Sequence, residues 1–140
     1  MAKFHSLEVK DIYKDTDDCS VIAFNVPEDL KKTFKFKPGQ YLTLRDTIDD
    51  EDIRRSYSLC SSPLDHEWKV AVKKIPDGKF STFVNETLKK GDVLKVMKPM
   101  GRFGIATSET PKNYIFFYKS TINIIFDNVS FVVKSSFTIS

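Results

Sequence analysis

The 140-residue chain has room for one ordinary domain, or for one domain and part of a second, because single domains cluster near ~100 to 150 residues. Hydrophobic residues make up 41% and charged residues 29%, which excludes a disordered or fibrous chain. The net charge of +3 is spread over scattered lysines, so the dense basic footprint that grips nucleic acid is not expected. Cys19 and Cys60 stand far apart without Cys-x-x-Cys spacing and cannot by themselves build a zinc or iron–sulfur site. Met1 to Ser6 lacks the apolar core of a signal peptide, so the cytoplasm is the expected compartment, with both thiols free. Lys119, Asp127 and Lys134 interrupt the oily tail below the ~20 residues a membrane helix needs, so no membrane partner is expected.

The first forty residues read as strands. Ser20–Val26 is β-rich, with Ile22, Phe24 and Val26 on one face and Pro27 as its stop. Phe34-Lys35-Phe36-Lys37 alternates, Pro38-Gly39 turns the chain, and Gln40–Arg45 resumes as a strand, giving one antiparallel unit. Asp46–Asp52 is acidic and reads as a solvated loop. Arg54-Arg55-Ser56-Tyr57-Ser58-Leu59-Cys60-Ser61-Ser62-Pro63 follows, and alternation puts Arg55, Tyr57 and Leu59 on one face and Ser56, Ser58 and Cys60 on the other. Trp68–Lys73 is the clearest strand, with Trp68, Val70 and Val72 inward. Phe80, Phe83, Val84 and Leu88 recur at helical spacing, with Ser81 or Thr82 as the cap and Gly91 as the stop. Val93–Lys98 alternates again until Pro99. Strands so spaced, with one short helix among them, predict a small closed barrel or sandwich.

Chemistry concentrates in two places. The Arg54–Pro63 run places two guanidinium groups, one aromatic ring and four hydroxyls close together, a set suited to a phosphorylated aromatic ligand. Gly78-Lys79-Phe80-Ser81-Thr82 puts a cation and two hydroxyls at a helix start, where free N–H groups and the dipole attract phosphate. Arg55 can add a bidentate contact to the same phosphate, so the pair suggests a dinucleotide-like cofactor. Taken singly, Tyr57 reads equally well as a core tyrosine and Ser58 as an ordinary strand serine. His5 and His66 lack metal-ligand spacing, His66 reads as a turn residue, and no nucleophile or P-loop motif is present.

Arg55-Ser56-Tyr57-Ser58 resembles the R-x-Y-S motif of the ferredoxin–NADP reductase superfamily, and Gly78-Lys79-Phe80-Ser81 resembles its pyrophosphate-binding G-x-x-S motif. Pro38-Gly39-Gln40-Tyr41 upstream and Pro99-Met100-Gly101-Arg102-Phe103 downstream also match in order and separation. Within that superfamily, Phe4–Leu7, Gln40–Arg45 and Arg54–Pro63 look most like oxygenase reductases of the phenylacetyl-coenzyme A epoxidase type. The resemblance implies an all-β fold: a six-stranded antiparallel Greek-key barrel with one short capping helix, over residues 1–104, binding FAD. By position, Arg55 would hold a flavin phosphate beside Ser56, Tyr57 would pack on the isoalloxazine, and Ser58 would hydrogen-bond near its reactive nitrogen. Ser81 and Thr82, with the backbone from Gly78 through Lys79 and Phe80, would hold the pyrophosphate, and Val72 and Lys73 would line the adenosine or ribityl side. Such reductases pass electrons from NAD(P)H through the flavin toward an oxygenase component or a separate electron-transfer chain.

The resemblance stops after Gly104. Lys112–Phe117 looks like the first strand of a nicotinamide-binding domain, but the expected glycine-rich turn is replaced by Tyr118-Lys119-Ser120-Thr121-Ile122-Asn123. Residues 105–140 therefore read as an incomplete or divergent start of that domain, a C-terminal strand-like fragment. All five glycines lie at or before Gly104, and the β-prone aromatic run over 113–140 is expected to self-associate unless covered. A flavin domain of a truncated reductase, not competent with NADH alone, is the leading expectation. The alternatives are a non-catalytic interaction module docking through Asp46–Asp52, and a non-functional fragment.

Overall fold

The computed structural model describes residues 2–102, together with the backbone of 115–117, 123–127 and 130–134. Six strands and one helix make up the first part: β1 (Phe4–Thr16), β2 (Cys19–Asn25), β3 (Tyr41–Ile48), β4 (Glu51–Ser58), β5 (Trp68–Lys73), α1 (Lys79–Glu86) and β6 (Val93–Met97). They form one antiparallel sheet in the order β4-β3-β6-β1-β2-β5. The sheet closes on itself, because Leu59 bridges Val70 and the Cys60 N–H donates to Lys69 O at 2.8 Å, joining the end of β4 to β5. The long β1 serves two neighbours: Phe4–Glu8 pairs with β6 and Glu8–Thr16 with β2, with register shifts between Val9 and Asp11 and between Lys14 and Thr16. Such bulges bend a strand, as a small closed barrel requires. This is the six-stranded barrel with one capping helix that the motifs implied.

Alternation explains the core. Leu7, Val9, Ile22, Phe24, Leu42, Leu44, Val70, Val72, Leu94 and Val96 all point inward and are buried, and Phe80 and Val84 of α1 plug the same interior. On the opposite face Cys19, Val21 and Ala71 form a second buried cluster, with Cys60 packed against it.

Three local expectations change. Asp46–Asp52 is not a loop: β3 continues to Ile48, β4 begins at Glu51, and only Asp49 and Asp50 turn, at φ of 51° and 62°. A two-residue hairpin turn demands that left-handed pair, and aspartate tolerates it better than most residues. Phe34–Lys37 joins no strand, although Phe34 and Phe36 are buried as the alternation indicated. The Trp68 indole N–H donates to Phe34 O at 2.7 Å, so an irregular segment is fastened across the barrel without a ladder. Helix α1 is capped by Gly78, with no side-chain cap bond, and it ends at Glu86 rather than at Gly91. Gly91, at φ of 92°, instead turns the chain into β6, its N–H donating to Val9 O at 2.9 Å.

Farther along, β7 (Ile115–Phe117), β8 (Asn123–Asp127) and β9 (Ser130–Lys134) pair antiparallel in the order β7-β8-β9. The strand-like reading of 113–118 and 121–126 meets β7 and β8 there, while the expected self-association through 113–140 rests on side chains outside the described residues. Phe103 and Gly104 also lie outside them. Among the described residues no helix is long and apolar enough to cross a membrane.

Candidate functional site

The four sequence motifs converge on one end of the barrel. β3 and β4 run side by side, so Tyr41 lies opposite Ser58, Leu42 opposite Tyr57 and Leu44 opposite Arg55. Tyr41 also exchanges both backbone hydrogen bonds with Met100, at 2.8 and 3.0 Å, and the Gln40 side-chain amide donates to Gly101 O at 3.3 Å. Gly101 sits at φ of 128°, a backbone conformation that favours glycine, and packs at ordinary contact distance against the Tyr41 ring. The Tyr57 ring stacks on Phe80 of α1, centroids 6.1 Å apart and planes 28° from parallel. That contact brings the Arg55–Ser58 segment to the start of the helix.

Alternation along β4 sorts its polar residues by partner. On the outward face, Asp52 receives two hydrogen bonds from Arg45, at 2.7 and 2.8 Å, and lies 4.0 Å from Arg54. The Arg45 and Arg54 guanidinium groups both cover the Phe4 ring, at 5.3 and 5.2 Å from its centroid. Ser56 bonds Thr43 across the ladder at 2.8 Å, while Ser58 is exposed and makes no side-chain hydrogen bond among the described residues. On the other face, Arg55 makes one hydrogen bond, donated to its neighbour Arg54 O at 2.6 Å, and has no carboxylate partner among the described residues. An arginine left so is ready for an external anion. Tyr57 beside it is half-buried. Burial pushes its hydroxyl up to about 12, against the opposing pull of the Arg55 charge, so it is a neutral phenol at physiological pH.

At the helix start the first intrahelical bond runs from the Thr82 N–H to Gly78 O at 2.9 Å, which leaves the N–H groups of Lys79, Phe80 and Ser81 without a helical acceptor. Gly78 is required for packing rather than for its φ of −80°: a Cβ there would lie 2.5 Å from both Ile75 Cγ1 and Ser81 Oγ. The Ser81 side chain is turned inward, donating to Gly78 O at 3.2 Å and accepting from the Ile75 N–H at 3.1 Å. It braces the turn, so only its N–H is open. Thr82 is half-buried with a hydroxyl that makes no bond among the described residues. Phe80 is buried, and Lys79 pairs with Glu51 at 2.6 Å.

Val72 and Lys73, expected to line the adenosine or ribityl side, face opposite ways on β5. Val72 is fully buried and points into the core, and its carbonyl accepts from Asn85 at 3.0 Å, so it has no side chain to offer a ligand. Lys73, the next residue, faces the other way, 4.0 Å from Asp18. The sequence did not single out Asn85, which also bonds Ser81 O and accepts from Ser20 and Lys14, tying α1 to the barrel. Nor did it reveal Glu51, hidden in a stretch that read as a loop.

Guanidinium and backbone N–H donors, a half-buried ring and hydroxyls without a hydrogen bond among the described residues thus share one end of the barrel. A family described as "Oxidoreductase FAD-binding domain" matches residues 6–105. A subunit of 1,2-phenylacetyl-CoA epoxidase from Escherichia coli is 45% identical over 104 residues, covering 74% of this chain and 29% of that protein. The ferredoxin reductase component of 3-ketosteroid-9-alpha-monooxygenase from Rhodococcus rhodochrous is 38% identical over 109 residues, covering 76% and 29%. The chain therefore spans less than a third of either relative. Among solved structures, the flavohem-like FAD/NAD binding domain of nitric oxide dioxygenase from Vibrio cholerae has the same fold, with a TM-score of 0.67 at 24% identity over 79% of this chain and 49% of that one. The barrel and its converging motifs are those of a ferredoxin reductase-type flavoprotein domain, and the chain belongs to the oxidoreductase FAD-binding domain family.

Proposed function

We propose that residues 1–104 form the flavin unit of an electron-transfer reductase serving a multicomponent oxygenase of the phenylacetyl-coenzyme A epoxidase kind, with residues 105–140 a separate segment. Bound FAD supplies the chemistry, taking up a hydride's two electrons and releasing them singly. The chain's own residues bind and orient. Arg55 grips a phosphate, Tyr57 backed by Phe80 walls the ring system, and Ser58 offers a donor and an acceptor at the ring edge. The open N–H groups of Lys79, Phe80 and Ser81, with the Thr82 hydroxyl, receive the second phosphate, where helix geometry favours anions. Ser56 bonds Thr43 beside this set, Gly78 keeps the helix start close-packed, and the Val72 carbonyl holds Asn85 of α1, while the Lys73 side chain lies toward Asp18. The donor types fit the cofactor at its phosphates and its ring; the inward-turned Ser81 hydroxyl and the buried Val72 side chain depart from the expected pattern.

The observation that carries this reading is Arg55: a guanidinium without a carboxylate among the described residues, on the same face as the Tyr57 ring. FAD titration followed by flavin fluorescence tests it. Arg55→Ala should weaken binding by ~1.5 to 3 kcal/mol, the worth of a hydrogen bond to a charged group, or roughly 10- to 150-fold. Unchanged affinity removes Arg55 from the site. The sequence after Gly104 contains no glycine for a nucleotide-binding turn. The flavin-loaded chain should therefore be reduced by dithionite and only slowly by NADH, with electrons passing on to an oxygenase component or a separate carrier.

A further inference from the structure

The β3–β4 hairpin does more than connect two strands. Glu51, Ile53, Arg55 and Tyr57 follow one another at every second position of β4 and therefore share a face, the one that meets the start of α1. Glu51 reaches Lys79 there, Oε1 to Nζ at 2.6 Å, and Asp49 in the turn adds a second negative charge felt by the same ammonium. Lys79 is the first residue of α1, so the cation nearest the open N–H groups is already neutralised by a carboxylate of the same chain. Arg55, on the same strand face, has no such partner among the described residues. Both members of the pair are exposed, Lys79 at 46% and Glu51 at 60% of their side chains, so water can replace either partner and the bond can exchange.

We propose that Glu51 is an internal competitor for the cofactor's diphosphate, holding Lys79 on the hairpin in the free domain and releasing it when a diphosphate reaches the helix start. This rests on the flavin reading above. The carboxylate opposes the anion twice, by occupying Lys79 and by its own charge. It thereby lowers affinity for any diphosphate and makes binding depend on the ionic strength that weakens the pair. In return the hairpin stays fastened to the helix until a diphosphate arrives.

Titrations of the full chain with FAD, and separately with adenosine diphosphate and with riboflavin, test this at low and high salt. Glu51→Gln should tighten FAD and adenosine diphosphate about two- to fivefold at low salt, in keeping with the modest strength of an exposed pair. Riboflavin, which has no phosphate, should be unaffected. The gain should fall to less than half in a Lys79→Gln background, where only the carboxylate's own charge is removed, and should shrink at high salt. Asp50→Asn, which removes a neighbouring charge without touching Lys79, should give less than half of the gain. FAD binding to the unaltered chain with no gain in Glu51→Gln, or an equal gain in Lys79→Gln or Asp50→Asn, overturns the competitor and leaves the flavin reading standing. Absence of FAD binding in every variant overturns both.

Discussion

Arg54 and Arg55 are adjacent, identical in type and both exposed, yet the barrel puts them to opposite uses. Arg54 lies on the outward face over Phe4, near the carboxylate that Arg45 already holds. Arg55 lies on the face of Tyr57 and α1, where its one hydrogen bond among the described residues goes to the Arg54 carbonyl. The difference teaches that strand alternation, not residue type, decides which of two like cations is structural and which is available. A guanidinium with its acid inside the fold has little left to offer a ligand.

The strongest way to break the contrast is to remove what positions the Arg55 side. Phe80 is 1% exposed, stacks on Tyr57 and packs edge-on against Phe83 at 6.2 Å. Phe80→Ala should cost ~3 to 5 kcal/mol in a urea melt, the usual loss for a buried phenylalanine, and should abolish flavin binding through loss of the fold or of the Tyr57 wall. Next comes the direct comparison. Against the 10-fold or greater loss expected for Arg55→Ala, Arg54→Ala should change FAD affinity less than about twofold and stability by under ~1 kcal/mol, because exposed pairs and cation–π contacts of this kind are weak. Equal effects from the two arginines would erase the distinction.

Gly78→Ala sharpens the same contrast from the helix side. The added methyl meets Ile75 and Ser81, and overpacking of this sort costs ~1 to 3 kcal/mol. Affinity for FAD should fall with it, as measured by titration on protein shown to be folded. The smallest expected effect is alkaline. Burial pushes the Cys60 thiol up to about 12 from 9.0, more than the Lys69 charge offsets, with Cys19 and Asp15 adding to the rise. Between those values an unfolded chain has lost the proton that the folded chain keeps, so stability should fall as pH rises from about 9 toward 12. Urea midpoints at pH 8 and pH 10.5 should show the drop, and Cys60→Ala should reduce it.

Much of the barrel was legible because alternation carries physical information. Trp68–Lys73 was read at its true bounds, and Val93–Lys98 within one residue, since one face of each had to be buried. The acidic stretch misled for the opposite reason. Ile48 is its one apolar residue, with Ile53 just beyond it, and nothing local distinguishes a solvated hairpin from a solvated loop. The ladder from Tyr41 to Ile48 is imposed by pairing with β4, eight residue pairs in unbroken register. The helix cap differs for a local reason: Ser81 and Thr82 are good caps in isolation, but the Ile75–Gly78 turn claims the Ser81 hydroxyl.

Period and functional group alone were enough for the strand faces, the presence of one helix, and the positions of the guanidinium, ring and hydroxyl groups. The tertiary structure decided which of those residues are free. Asp52 takes Arg45, Glu51 takes Lys79, Gly78 and Ile75 take Ser81, and the core takes the Val72 side chain. The Ser81 bonds and the Arg45–Asp52 pair are made within a turn and a hairpin, but the Glu51–Lys79 pair spans 28 positions and the burial of Val72 needs the closed barrel, which no short window of the chain contains. Arg55 and Tyr57 are what that closure leaves open.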